Sequence, residues 1–146
     1  MLKVAIVIYH KRRDKLMNII EWNEKFSIGN YQVDEQHKEL IKIINEVIMV
    51  IKQKQYTFSN LLSVVCKLDD YIIEHFKYEE QLMYKYNIQG KENHIKEHDF
   101  ARQKMNLINV IEQENFEEKF FFDTLGWLSN WLINHIINTD KMLHLD

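Results

Sequence analysis

Apolar residues recur at steps of three and four along four long stretches of the chain. That spacing forms one apolar stripe on a helix, so the pattern predicts four amphipathic α-helices. The connections between the stretches are short, which makes consecutive helices antiparallel. Asp34 and Ser59 stand where the first two helices need an N-cap. The predicted helices run over Glu35–Lys52, from Ser59 to Tyr86, and over Lys91–Glu112 and Glu117–Thr139.

The fold class predicted from this pattern is all-α: an antiparallel up-down-up-down four-helix bundle with an N-terminal arm. The chain has no proline and three glycines, so it is poor in the residues that punctuate many short strands. The arm, Ile19–Val33, lacks sustained periodicity but carries Trp22 and Phe26. Large aromatic rings with few apolar neighbours of their own are expected to pack across the surface of the bundle.

Composition limits the classes of partner. With 146 residues, 46% of them hydrophobic, the chain suits one domain with a substantial core. Its net charge of −3 argues against nucleic acid as a partner and against attachment to a membrane through a basic surface. The single cysteine, Cys66, cannot form an internal disulfide, so the cytoplasm is the expected compartment. We expect Cys66 to be a small packing residue, with a reactive thiol as the alternative.

Residues 1–20 form a predicted N-terminal extension, and residues 21–146 form the predicted bundle domain. The extension contains an apolar run, Leu2–Tyr9, that is too short to span a bilayer. Basic residues follow this run instead of preceding it, which is wrong for a signal peptide. An added strand or helix, a partner-binding tail and a translation start at Met17 are the remaining interpretations. The start at Met17 is favoured because the recognisable pattern begins just after it.

His75 and Glu79 place an imidazole and a carboxylate on the apolar stripe of the second helix. Burying a carboxylate is costly unless it is paired or bound to a metal. The other helices also carry histidine on their stripes, and His94 and His98 repeat the four-residue spacing. One such histidine is more often a satisfied core residue, but the set predicts a metal centre. The five histidines are His37, His75, His94, His98 and His135.

These candidate ligands also fall at one end of the predicted bundle. The histidines of the first and third helices are early in their helices, whereas Glu79 and the histidines of the second and fourth are late. Antiparallel helices bring those positions together. Imidazole and carboxylate suit iron, copper or zinc. One tetrahedral ion would leave ligands unused, whereas two adjacent metal ions would use them all.

The order and spacing of these residues resemble the hemerythrin family in its single-domain bacterial form, bacteriohemerythrin. The similarity covers residues 20–140 and involves motifs from the arm to the end of the fourth helix. The matching residues are Trp22, Gly29, Val33-Asp34-Glu35-Gln36-His37, His75-Phe76, Glu79-Glu80, His94, His98, Trp131-Leu132, His135-Ile136 and Asp140.

What the resemblance implies is a non-haem di-iron site inside the bundle. Two carboxylates, with an oxo or hydroxo group, would bridge the two iron ions. The implied ligands are His94, His98 and His135 on one iron, His37 and His75 on the other, and Glu79 and Asp140 between them.

Asp140 needs a departure from regular helix to join this set. It lies five residues after His135, so an ideal helix would point it about 140° away. We therefore expect the helix either to bulge there or to unwind at its end. Without the resemblance, Asp140 would be taken as a solvated residue near the C-terminus.

The implied function is reversible dioxygen binding, for oxygen storage, delivery or sensing, by a protein that is not an enzyme. An apolar wall would keep bulk water from the centre and offer no acid or base. Two alternatives stay open: a di-iron oxidase, peroxidase or nitric oxide reductase, and an iron or redox sensor acting through a partner. Enzymatic di-iron bundles carry more carboxylates, which argues against the first. The predicted oxygen-pocket lining is Leu40, Phe76, Trp131, Leu132 and Ile136, and His10 and His144 are expected to be exposed.

Overall fold

A computed structural model describes residues 18–53 and 56–144. Within these ranges the chain forms four α-helices and three short 3₁₀ helices, and no strand. Consecutive α-helices pack against one another, which confirms the predicted all-α four-helix bundle. None of the described helices is long and apolar enough to cross a membrane. The α-helices are α1 (Tyr31–Lys52), α2 (Phe58–Lys85), α3 (Lys91–Asn109) and α4 (Glu118–Asn138), and the 3₁₀ helices are Glu24–Phe26, Gln113–Asn115 and Asp140–Leu143.

The first two helices begin at different caps from those predicted. The side chain of Asn30 accepts a hydrogen bond from the Val33 N–H and caps α1. Thr57, and not Ser59, caps α2, where Thr57 and Asn60 bond reciprocally to each other's backbone N–H. Both segments offer several capping residues within a few positions, and the apolar period alone does not choose between them.

Asp34, the cap predicted for α1, lies in the first turn of that helix and holds the arm instead. Its two carboxylate oxygens accept hydrogen bonds from the Ile28 N–H at 2.8 Å and from the Ser27 hydroxyl at 2.7 Å. Further along the arm, Phe26 is buried and Trp22 is half-buried against the bundle. The expected packing of the arm across the bundle is therefore present.

Two hydrophobic clusters fill the interior. The larger one, which we call the bundle core, is formed by the apolar stripes of all four helices and includes Leu61, Leu68 and Leu128. The smaller one, the end cap, lies at the end of the bundle where α1 begins and α2 finishes. Its buried residues are Ile28, Val33, Met83 and Leu143.

Cys66 is exposed, so its predicted role as a packing residue is wrong. It directly follows Val65, which is buried in the bundle core, and one residue turns a helix by about 100°. Cys66 therefore points away from the apolar stripe that its neighbour continues. The predicted extension falls largely outside the described residues, as do Met17 and His10.

Candidate metal centre

Seven ionisable side chains are buried together where the two hydrophobic clusters meet, and each is at most 3% exposed. The antiparallel order of the helices brings early positions of α1 and α3 beside late positions of α2 and α4. The structure thus places side by side all seven residues that the sequence marked as candidate ligands. They are His37 from α1, His75 and Glu79 from α2, His94 and His98 from α3, His135 from α4, and Asp140 from the 3₁₀ turn that follows α4.

Asp140 enters the cluster because α4 unwinds. The α-helix ends at Asn138, and Asp140 starts the 3₁₀ turn Asp140–Leu143. Of the two expected departures from regular helix, the chain adopts the unwound end, and no π-bulge occurs in the described part of α4. Leu143 of the same turn is buried in the end cap, so it fastens the segment that carries the carboxylate.

Glu79 divides its two oxygens between two groups of histidines. Its Oε1 lies 3.5 Å from the Nε2 of His37 and 3.4 Å from the Nε2 of His75. Its Oε2 lies 3.2 Å from the Nε2 of His98 and 3.6 Å from the Nε2 of His94. One carboxylate therefore faces both groups with a separate oxygen for each.

Asp140 also divides its two oxygens between the two groups of histidines. Its Oδ1 lies 2.9 Å from the Nε2 of His135 and 3.0 Å from the Nε2 of His94. Its Oδ2 lies 3.1 Å from the Nε2 of His37. We call His94, His98 and His135 the three-histidine half of the cluster, and His37 and His75 the two-histidine half. Within each half, the candidate ligand atoms, including the carboxylates, lie within 4.8 Å of one another.

The polar atoms of the cluster are better placed to bind a cation than to form hydrogen bonds with one another. Among the described residues, neither carboxylate of Glu79 and Asp140 has an oxygen with a hydrogen-bond partner of good geometry, and His37 lacks one at both nitrogens. The Nε2 of His135 lies 3.1 Å from the Nε2 atoms of both His94 and His98. Neutral imidazoles whose protons are on Nδ1 would face one another with lone pairs there, an arrangement that positive charge relieves.

The electrostatics of the cluster lead to the same conclusion. Burial alone would lower the pKa of His37 and of His94, but the Asp140 and Glu79 carboxylates raise both pKa values to about 9. Burial alone would raise the pKa of Glu79, but the charge of His75 and the contacts with three other histidines hold it well below its ordinary value. Two buried carboxylates thus demand positive charge, which protons or metal ions can supply.

The Nδ1 atoms of four cluster histidines point outward and meet a second set of side chains. Each partner belongs to a different segment from the histidine that it contacts, and it lies one or two residues from another member of the cluster. None of these four partners was assigned a role from the sequence, although Gln36 and Glu80 lie within the motifs that match the family. The pairs are His75 with Gln36 Oε1 at 3.0 Å, His94 with Met142 Sδ at 2.9 Å, His98 with Glu80 Oε1 at 2.9 Å and His135 with Glu97 Oε2 at 2.7 Å.

Aromatic rings cover the three-histidine half. Phe76 stacks on His98 with ring centroids 3.8 Å apart, and Trp131 stacks on His135 at 4.6 Å. Of the five residues predicted to line an oxygen pocket, Trp131 is half-buried and the others are buried in the bundle core. Those four are Leu40, Phe76, Leu132 and Ile136.

A polar surface cavity of about 310 Å³ opens beside the two-histidine half. His75 and its partner Gln36 contribute to the lining, and the Tyr71 hydroxyl donates a hydrogen bond to the Gln36 carbonyl at 3.2 Å. The other lining residues are Glu74, Lys77, Tyr78 and Gln81. Polar groups thus approach one half of the cluster from outside.

Five imidazoles and two carboxylates, all buried, form a donor set that suits first-row transition metals. Bundle interiors are established places for such centres, with ligands contributed by facing helices. The fold and the cluster therefore define a four-helix-bundle protein with a non-haem metal-binding site.

Similarity to known proteins shows to which family the chain belongs. A family model described as Hemerythrin HHE cation binding domain matches residues 29–144, and the chain belongs to the hemerythrin family. It is 24% identical to a bacteriohemerythrin of Clostridium acetobutylicum over 82% of this chain and 95% of the relative. It is 30% identical to a bacteriohemerythrin of Pseudomonas aeruginosa over 82% of this chain and 75% of the relative. A hemerythrin-like protein of Naegleria gruberi is 29% identical over 82% of this chain and 86% of the relative. No solved structure matches the chain.

Proposed function

We propose that the chain binds dioxygen reversibly at a non-haem di-iron centre, for oxygen storage, delivery or sensing. The observation that carries the proposal is the division of both buried carboxylates, each of which offers one oxygen to each half of the cluster. A carboxylate placed in this way is suited to bridging two ions. In this assignment His94, His98 and His135 bind one iron ion, and His37 and His75 bind the other.

Iron and dioxygen enter the proposal through the relatives, which are named bacteriohemerythrin and hemerythrin-like protein. Two ferrous ions, when bound, supply the electrons that reversible dioxygen binding requires. The two-histidine half offers one donor fewer, so we assign the dioxygen site to that side of the centre. The histidines and carboxylates hold the ions, and their burial limits the access of water.

The surroundings of the cluster support a binding protein and not an enzyme. The side chains of Phe76, Leu132 and Ile136, which are buried in the bundle core, carry no group able to donate or accept a proton at neutral pH. On the side of the cluster that these residues cover, none of their side chains can take part in the proton transfers that turnover needs. We place this activity in the cytoplasm, because the chain needs no disulfide.

Reversibility is the property that tests this proposal. The protein is loaded anaerobically with ferrous iron, exposed to air and then returned to argon while the visible spectrum is recorded. We expect an absorption band that appears in air, disappears under argon and returns over repeated cycles. Total iron per chain is measured in the same samples, and two ions per chain are expected.

Other functions give different results. Irreversible oxidation with release of hydrogen peroxide would contradict oxygen carriage in favour of an oxidase. Consumption of added nitric oxide or peroxide over many turnovers would favour the corresponding reductase or peroxidase. A reversible band whose formation changes the affinity for a protein partner would assign the same centre to sensing.

A further inference from the structure

Two of the three histidines in the three-histidine half, His98 and His135, have a carboxylate as their outward hydrogen-bond partner. Glu97 accepts from His135 and from the Thr139 hydroxyl through the same Oε2, at 2.7 and 3.0 Å. Glu80 accepts from His98 and also from Arg102, whose guanidinium lies 2.7 Å away. This contact with Arg102 is a salt bridge, so a positive charge lies beside the Glu80 carboxylate.

A carboxylate behind an imidazole has two effects on a metal ligand. It fixes the proton on Nδ1, which leaves the Nε2 lone pair free for the ion, and it makes the imidazole more basic. Both His98 and His135 receive this support. His94, the third member of this half, faces the thioether of Met142, which is a weak acceptor.

The two-histidine half lacks anionic support in the described residues. His75 faces the amide oxygen of Gln36, which is neutral. The Nδ1 of His37 has no hydrogen-bond partner within the parts of the chain that the structure describes. Gln36 therefore orients one ring of this half without adding charge, and nothing comparable orients the other.

Access differs in the same direction. His75 and Gln36 contribute to the lining of the polar cavity of about 310 Å³, so water can reach the outer edge of this half from the surface, although the ligand atoms themselves are buried. In the other half, Phe76 and Trp131 stack on His98 and His135. The three-histidine half therefore has both the stronger ligands and the poorer access for water.

We propose that the two halves bind metal in a fixed order, in which the three-histidine half fills first and releases last, and that Glu80 and Glu97 are the positioning residues responsible. The proposal rests on the di-iron centre proposed above. It makes the ion of the two-histidine half the exchangeable one, with Gln36 setting how easily that ion leaves.

Metal release measures the order in which the two ions leave, and it does so without dioxygen. Protein loaded anaerobically with ferrous iron is mixed with a chromogenic ferrous chelator, and iron is followed by the absorbance of the chelate. Two phases of equal amplitude are expected. The fast phase corresponds to the two-histidine half, and the slow phase to the three-histidine half.

Three isosteric variants identify the phases. Glu97→Gln replaces the anionic acceptor by an amide and is expected to accelerate the slow phase by about tenfold, since loss of such partners typically lowers metal affinity 10- to 100-fold. Glu80→Gln is a second variant with the same expectation. Gln36→Glu is the converse change, and it should retard the fast phase by a similar factor. Far-UV circular dichroism checks that each variant remains helical.

The outcomes separate this inference from the proposed function. Two ions per chain that leave in one phase, or acceleration of the fast phase by Glu97→Gln, would overturn the order and leave the di-iron centre in place. Fewer than two ions in the unaltered protein would overturn both proposals. Acceleration of the slow phase alone by Glu97→Gln, with retardation of the fast phase alone by Gln36→Glu, would support the order.

Discussion

The metal-binding cluster has apolar packing on two sides, and the two sides are built from different parts of the chain. The bundle core joins the stripes of all four helices, each of which supplies several buried residues. The end cap instead collects single residues from four separate segments. Ile28 comes from the arm, Val33 from the start of α1, Met83 from near the end of α2, and Leu143 from the 3₁₀ turn.

This difference determines how each side relates to the metal centre. The bundle core is continuous along the helices and extends far from the cluster, so most of its packing does not depend on the ligands. The end cap shares a four-residue turn with Asp140, and that turn is tied to the arm. Lys141 donates to the Ser27 carbonyl, and the His144 ring contacts the Ile28 carbonyl. Closing the end cap and placing the Asp140 carboxylate are therefore one structural event.

The largest expected effect comes from removing the carboxylate that lies between the two sides. Glu79→Ala should abolish binding of two metal ions per chain, because both halves of the cluster lose an oxygen at once. Metal per chain is measured by elemental analysis after loading and desalting. Asp70→Ala, an exposed change on the same helix, is the control. Retention of two ions by Glu79→Ala would show that Glu79 is not the bridge.

A substitution in the bundle core should reduce stability without affecting the centre. Leu61 is fully buried, and Leu61→Ala is expected to lower the free energy of unfolding by about 2–5 kcal/mol. Denaturant unfolding of metal-free and metal-loaded protein measures this loss, which should be equal in both forms. Leu107→Ala, at a leucine that is 47% exposed, is the matched control. A loss confined to the loaded protein would contradict the independence of the bundle core.

The bundle core is also the part of the fold that sequence predicts best. Residues such as Leu68 and Ile72 in α2 recur at the helical period, and each helix carries enough of them to determine which face is buried. Helix starts were predicted less well, because Asn30, Thr57 and Ser59 all satisfy the chemistry of a cap. Periodicity determines that a helix exists more strongly than where it begins.

Six of the seven candidate ligands could be predicted from the helical period, but the contacts behind them could not. Histidines on an apolar stripe are conspicuous, since the stripe predicts a buried position for each of them. Gln36 meets His75 across 39 residues, and Glu97 meets His135 across 38, and such contacts leave no local pattern. Asp140 was placed only by resemblance, because the helical period does not predict that α4 ends at Asn138 or that Leu143 of the following turn is buried in the end cap.

Compared with a substitution in the bundle core, one in the end cap should therefore have a smaller effect on stability and a larger effect on metal retention. Leu143→Ala is expected to lower the free energy of unfolding by about 2 kcal/mol, the lower end of the range, because a turn near the chain end can relax. It should also speed iron release to the chelator, since the same turn holds Asp140. Leu61→Ala is the comparison variant, and it should leave release unchanged. Equal release rates in the two variants would show that packing in the end cap does not influence metal retention.

A change of pH tests the cluster without altering the packing of the bundle core or of the end cap. In the metal-free protein His37 and His94 have pKa values of about 9, above the ordinary value of 6.5. Between about pH 6.5 and pH 9, these two histidines are therefore protonated in the folded state but have lost their protons in the unfolded state. The stability they contribute is fully present below about pH 6.5 and is lost as the pH rises through about 9, by at most about 1.4 kcal/mol per group and pH unit.

Thermal unfolding from pH 6.5 to 9.5 measures this loss in the metal-free protein. His75 does not cancel it, because burial lowers the pKa of His75 and places its titration below this window. Metal-loaded protein is the control, since bound ions replace the protons and should remove the fall in stability. A metal-free protein that becomes more stable toward pH 9 would mean that protons do not balance the two carboxylates. The two apolar sides would then have to enclose the uncompensated charge by packing alone, which buried carboxylates rarely permit.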